Sequence, residues 1–154
     1  MDVVYNHTDG TGNSSLYDMT VPKYFYRLNS ECGYSNGSGC GNEIATNHKM
    51  VKKYVLDSLK HWMKDFHING FRFDLMGVQE QETMSEIFCE LKKIDPYVMV
   101  YGEPWTGGEC RVKNGCSGSV ACGKNCGVGA FNDDFRDAIK GSEFGGFAKG
   151  QVQG

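Results

Sequence analysis

Two short apolar runs in this chain each follow an amphipathic helical stretch, and each ends on a carboxylate. The first is Gly70-Phe71-Arg72-Phe73-Asp74 and the second is Val98-Met99-Val100-Tyr101-Gly102-Glu103. Strands joined by one helix cannot form a tight hairpin. They pair in parallel through a crossover, and both then end at the same edge of the sheet. That constraint narrows the fold to the α/β class. It also brings Asp74 and Glu103 to the mouth of one cleft, the edge at which parallel barrels keep their chemistry.

The rest of the chain continues the alternation. Met1 to Tyr5 reads as a buried strand, and the polar turn after it puts Asn6, His7, Thr8 and Asp9 at the strand's C-terminal mouth. From Ser14 to Ala45 no period persists, and Tyr17, Tyr24, Phe25, Tyr26 and Tyr34 mix with Gly, Ser and Asn. So long an irregular segment, rich in aromatics, predicts an ordered functional excursion. Thr46 or Asn47 is the expected cap of a helix to about His67. Its inward positions are Val51, Val55, Leu59, Trp62 and Phe66, with Lys52, Lys53, Asp57, Lys60 and Lys64 largely on the other face. A strand follows at Phe71 to Leu75. A second helix from about Gln79 to Ile94 turns Met84, Ile87, Phe88 and Leu91 inward, and Asp95-Pro96 stops it before a strand at Tyr97 to Gly102. After a long loop, Val128 to Phe131 reads as a fourth strand and Asp133 to Lys140 as a small helix. This order predicts a parallel sheet with helices outside.

Bulk properties bound the function. A chain of 154 residues suffices for one ordinary domain but falls short of the roughly 250 of a complete eight-stranded barrel. A net charge of −3, with no block of like charge, argues against nucleic acid, and no apolar run nears the ~20 residues of a membrane span. The 21 glycines imply many loops and close backbone approaches. Cys110, Cys116, Cys122 and Cys126 cluster late, at spacings that miss the paired short knuckles of common zinc sites. Zinc, disulfides and free thiols all stay open. The odd total of seven cysteines favours free thiols in a reducing compartment, hence the cytoplasm, in a chain whose location is otherwise unknown.

Strand alternation turns Phe71 and Phe73 to one face and Arg72 and Asp74 to the other. Arg72 would hold Asp74 ionised and aimed, as a nucleophilic carboxylate must be. Glu103 has Tyr101, Pro104 and Trp105 beside it in sequence, an apolar neighbourhood that suits a general acid. Two unlike carboxyls in one cleft are the pair that glycoside hydrolysis requires.

Asp2-Val3-Val4-Tyr5-Asn6-His7, Gly70-Phe71-Arg72-Phe73-Asp74 and Gly102-Glu103-Pro104-Trp105 resemble, in order, three of the four signature segments of glycoside hydrolase family 13, the α-amylase superfamily. Leu75-Met76-Gly77, Pro104-Trp105-Thr106-Gly107-Gly108 and Phe131-Asn132-Asp133-Asp134-Phe135-Arg136-Asp137-Ala138-Ile139-Lys140-Gly141 are similar to its type I pullulanase branch. The resemblance covers most of the chain and is weakest around Cys110 to Cys126. It implies a (β/α)₈ barrel acting on α-glucosidic linkages with retention. It makes Asp74 the nucleophile and Glu103 the general acid/base, with Arg72 positioning Asp74. His7 would contact the sugar, Trp105 would stack on one, Asn6 would brace the loop, and Asp2 would have a structural or ion-related role. The implied partner is a pullulan-, starch- or glycogen-like α-glucan. The chemistry requires no cofactor. The resemblance leaves room for calcium, for which no dense ligand cluster is evident, and no metal ligand is assigned.

The fourth signature, with its third carboxylate, has no counterpart here. The chain is therefore expected to be a fragment, 1–154, of a catalytic barrel, holding approximately strands three to six, with 8–45 as a loop-rich insertion and barrel ends missing on both sides. Alternatives are an α-amylase-like α-1,4-glucan hydrolase, a non-catalytic glucan-binding relative, and a metal module built on the late cysteines.

Overall fold

Parallel pairing is what the computed structural model displays, over described residues 1–117, 127–142 and 148–152. Four strands, β1 (Asp2–Val3), β2 (Gly70–Phe73), β3 (Met99–Gly102) and β4 (Gly129–Ala130), lie in sequence order in one sheet. Helices α1 (Leu16–Thr20) and α2 (Lys49–Phe66) connect β1 to β2. Helix α3 (Gln81–Lys92) connects β2 to β3, and α4 (Asp133–Lys140) follows β4. Val3 pairs with Phe73, Phe73 with Gly102 and Gly102 with Ala130, so all four C-terminal ends reach one edge.

The sheet has two unlike faces. Val3, Phe71, Phe73, Val98 and Val100 are buried in one core with Val55, Leu59 and Met63 of α2 and Met84, Ile87 and Leu91 of α3. The other face carries Arg72, Val4, Met99 and Tyr101, of which Met99 is 66% exposed and Val4 55%. Parallel sheets are ordinarily covered on both faces; among the described residues this one is covered on one.

Several elements differ from expectation for physical reasons. The buried row of α2 runs Val51, Val55, Leu59, Met63 at four-residue steps, while Phe66 is exposed and stacks on Trp62 at 4.8 Å. The helix starts after His48, not Thr46 or Asn47, and no side chain caps it. Thr46 is drawn elsewhere, its hydroxyl 2.7 Å from Gln79 Oε1 and 2.7 Å from Glu80 Oε2. In α3, Phe88 packs only partly against the core. Strands β1 and β4 are two residues each, shorter than their apolar runs.

The segment between β1 and α2 packs Tyr26 and Ile44 against Val51 of α2 in a small second core, ringed by Tyr17, Tyr24, Phe25 and Tyr34. It contains α1, which has no signal in the sequence pattern. Asp18, on α1, is buried and organises the segment: its carboxylate accepts from Gly12 N–H (2.7 Å), Lys23 N–H (2.7 Å) and the Tyr34 hydroxyl (2.6 Å). Cys32, Cys40, Cys89 and Cys110 are free thiols, whereas Cys122 and Cys126 of the late cluster lie outside the described residues. Among the described residues no helix is long and apolar enough to cross a membrane.

Burial pushes the Asp18 carboxyl up, but the donors from Tyr34, Gly12 and Lys23 outweigh burial and hold it below the ordinary carboxylate range. A depressed folded value stabilises the protein above the unfolded value, and that contribution is lost as pH falls through the folded one. Asp18→Asn should therefore cost about 2 kcal/mol near neutral pH and progressively less below pH ~4. Hydrogen exchange of residues 10–34 in both proteins at pH 7 and pH 3 checks this: the gap between them should be wide at pH 7 and narrow at pH 3.

Candidate active site

The register that aligns the strand ends brings their polar groups together. Asp74 N–H donates to Val3 O (3.1 Å) and Glu103 N–H to Phe73 O (3.1 Å), so the ladder continues through both acidic residues. Arg72 projects from the uncovered sheet face between them. Its Nη1 donates to Asp2 Oδ1 (2.9 Å) and to Asp74 Oδ1 (3.0 Å), and its Nη2 donates to Glu103 Oε1. Its guanidinium carbon also lies 5.9 Å from the centre of the Phe131 ring. One guanidinium thus serves three carboxylates. Burial disfavours its charge, but the bonds to Asp2 and Asp74 and the charge of Glu103 outweigh burial and push Arg72 above its ordinary value.

The remaining carboxylate oxygens are also occupied. Asp74 Oδ2 accepts from Asn6 Nδ2 at 2.9 Å, and the same amide reaches the Asp74 carbonyl at 3.0 Å. Asn6 is fully buried, and its Oδ1 is paired with His7 Nδ1. Glu103 Oε2 accepts from Leu75 N–H at 2.9 Å, a donor aimed by the left-handed backbone of Leu75 (φ 42°). Both acids are therefore held at both oxygens, a geometry that fixes their aim.

The structure brings together Asp2, Asn6, Arg72, Asp74 and Glu103. His7 joins through Asn6 and lines a cavity with Val4, Tyr17, Phe25 and Tyr54, between the insertion and α2. Trp105 turns toward Phe131, ring centres 6.2 Å apart, and not onto Glu103. At its carboxylate Glu103 is bonded by Arg72 and Leu75 N–H, while Phe131 links Arg72 to Tyr101 and Trp105. Among the described residues no group of three or more His, Cys, Asp or Glu is placed to hold a metal ion. The acids here already share a cation. With Asn6, Arg72 and Leu75 N–H on all four of their oxygens, Asp74 and Glu103 offer no free oxygen to a calcium ion.

Sequence reasoning missed Leu75 N–H and Phe131. The first is a backbone group set by a local turn and leaves no side-chain signal. Phe131, just beyond β4, sits 5.7 Å from Tyr101 and could have been found by asking which aromatic ends the neighbouring strand. The loop after Glu103 is clamped as well. Gly77 N–H donates to Glu103 O (3.0 Å) and to Trp105 O (3.1 Å), and a Cβ at Gly77 would lie 2.2 Å from Trp105 O.

No protein-family model matches the chain. It is 37% identical over 145 residues to a Bacillus subtilis protein, covering 94% of this chain and 20% of that one. That relative is a pullulanase. The pullulanase of Bacillus acidopullulyticus superposes with a TM-score of 0.91 at 45% identity, over 97% of this chain and 18% of its own. A variant of the Paenibacillus barengoltzii pullulanase, solved with maltotriose, gives 0.87 at 39% identity, over 100% of this chain and 24% of its own. The chain is pullulanase-related, and it spans between about a fifth and a quarter of these three relatives.

Gly77→Ala tests the clamp. The added methyl group must displace the Trp105 carbonyl, so in the full-length enzyme the variant should lose about 1–3 kcal/mol, read as a lowered midpoint of thermal unfolding. An unchanged midpoint would contradict the clamp.

Proposed function

We propose that this chain supplies the catalytic carboxylates of an α-glucan debranching hydrolase, as part of a longer polypeptide. The observation that carries the reading is the Arg72-bridged pair, Asp74 and Glu103, at the ends of neighbouring parallel strands. The pullulanase relatives support a glycosidase, and those solved with maltotriose or with maltohexaose and α-cyclodextrin support an α-glucan as its ligand.

In this reading Asp74 attacks the anomeric carbon and forms a glycosyl ester, while Glu103 passes a proton to the departing glucosidic oxygen. Water then cleaves the ester with Glu103 as base, and the configuration is retained. Asn6 and Arg72 keep Asp74 aimed through the first step. Glu103 enters this step protonated from solvent, having exchanged its bond from Arg72 for one to the glucosidic oxygen, while Arg72 stays paired with Asp2 and Asp74. His7 would contact the sugar beside the scissile bond, and Trp105 with Phe131 would offer an apolar wall to a ring.

The uncovered sheet face is, in the same proposal, the inner wall of a (β/α)₈ barrel. Strands β1 to β4 would be its third to sixth, the segment 8–45 its insertion, and β1 and β4 the edges at which the remaining strands pair. An open parallel sheet with two unpaired edges invites association. The isolated 154-residue chain is expected to aggregate and to leave pullulan intact.

Three measurements test this. The native protein that yields the Phe71–Glu103 peptides should have an intact mass several times that of 154 residues. It should release reducing ends from pullulan in preference to amylose, and Asp74→Asn should lower kcat roughly 10³-fold or more. Preference for amylose would overturn the debranching assignment, and full activity in Asp74→Asn would overturn the nucleophile.

A further inference from the structure

A buried ion pair outside the hydrolytic site grips the loop that carries Glu103. Glu43 is fully buried and Arg27 nearly so, both in the aperiodic segment ahead of α2. Arg27 Nη1 donates to Glu43 Oε1 at 2.6 Å, and Arg27 Nη2 donates to Glu80. Burying such charges is expensive, and apolar side chains of similar volume would fill the space at less cost. What the charges add is direction.

That direction leads to Glu103 along two arms. Glu43 Oε2 accepts from Gly37 N–H at 2.5 Å, and the Gly37 carbonyl accepts from Gly107 N–H (2.9 Å) and Gly108 N–H (3.0 Å). The Cys110 thiol, farther along the same loop, lies 3.6 Å from Glu43 Oε1. On the second arm, Arg27 Nη1 reaches Val78 O at 3.4 Å, next to Gly77, whose N–H holds the carbonyls of Glu103 and Trp105. Both ends of the span 103–108 therefore rest on one ion pair. The contacts leave no slack: a Cβ at Gly107 would lie 2.0 Å from Ser38 O, and one at Gly37 would lie 2.1 Å from Glu43 Oε2.

We propose that Glu43, fixed by Arg27, is a positioning residue that sets where Glu103 can deliver its proton. The proposal rests on the hydrolytic reading above. Glu43 touches no substrate; it acts by holding the loop, so its removal misplaces the acid while leaving Asp74 and its Asn6 and Arg72 bonds in place.

The test compares two substrates in the full-length enzyme. Pullulan needs a proton on its leaving oxygen, whereas α-maltotriosyl fluoride expels fluoride without one. Glu43→Gln, which keeps shape and removes charge, should lower kcat on pullulan about 10- to 100-fold with KM within threefold. Because Glu103 also serves as base when water cleaves the ester, the fluoride is read at kcat/KM, which reports ester formation alone and should fall less than threefold. Gly37→Ala, whose added methyl group would lie 2.1 Å from Glu43 Oε2 and so parts that carboxylate from the loop, should give the same split and decides alone if Glu43→Gln does not fold. Equal losses on both substrates, or no loss on either, would overturn the proposal. A wild-type enzyme inactive on both would instead overturn the hydrolytic reading and leave the positioning claim without an object.

Discussion

Everything at the candidate site depends on one guanidinium. Asp2, Asp74 and Glu103 come from three adjacent strands, and three carboxylates at one sheet edge would repel one another without a shared cation. Arg72 can serve them because it lies on the middle of those strands, pairs with Asp2 on one side and Tyr101 on the other, and carries a rigid fork of donors. Its placement follows from its neighbours: Phe71 and Phe73 are anchored in the core under α2 and α3, and strand alternation then turns Arg72 to the open face. The hydrophobic core thus aims a charged cluster on the far side of the sheet.

A second layer of constraint lies in the loops. The segment after β1 is irregular in period but not in packing, because Asp18 ties the Gly12 and Lys23 amides to the Tyr34 hydroxyl and Tyr26 seals its core. The same segment reaches across to the loop after β3 through Gly37. The acid on that loop therefore takes its position from residues far away in sequence. The glycines at 77 and 107 mark where backbone meets backbone too closely for any side chain, and Gly37 marks where backbone meets the Glu43 carboxylate and the Cys110 side chain.

What could be read in advance follows from period. Asp74, Glu103 and Arg72 were legible because strand alternation and the βαβ crossover leave little freedom in where they point. The strands around them were placed to within two residues. Helix α2 was legible in its row of Val51, Val55 and Leu59 but not at its end, where Met63 and not Phe66 still lies over the sheet. The cap was misassigned because Thr46 finds Gln79 and Glu80, partners more than thirty residues away that no local rule sees. The same limit hides the Asn6 bond to Asp74, across 68 residues, and the Arg27–Glu43 pair inside an aperiodic stretch. The resemblance pointed to the residue pattern; the contacts between the residues had to come from the fold.

The central claim is that Asp74, aimed by Asn6 and Arg72, is the atom-bearing nucleophile of a retaining glycosidase. The most direct test is to stall the covalent step: treat the full-length enzyme with 5-fluoro-α-maltotriosyl fluoride, digest it, and locate the added mass by fragmentation. The account predicts one glycosyl adduct, on Asp74. An adduct on Glu103 or elsewhere, or steady turnover of ordinary substrate by enzyme that never labels, would contradict it.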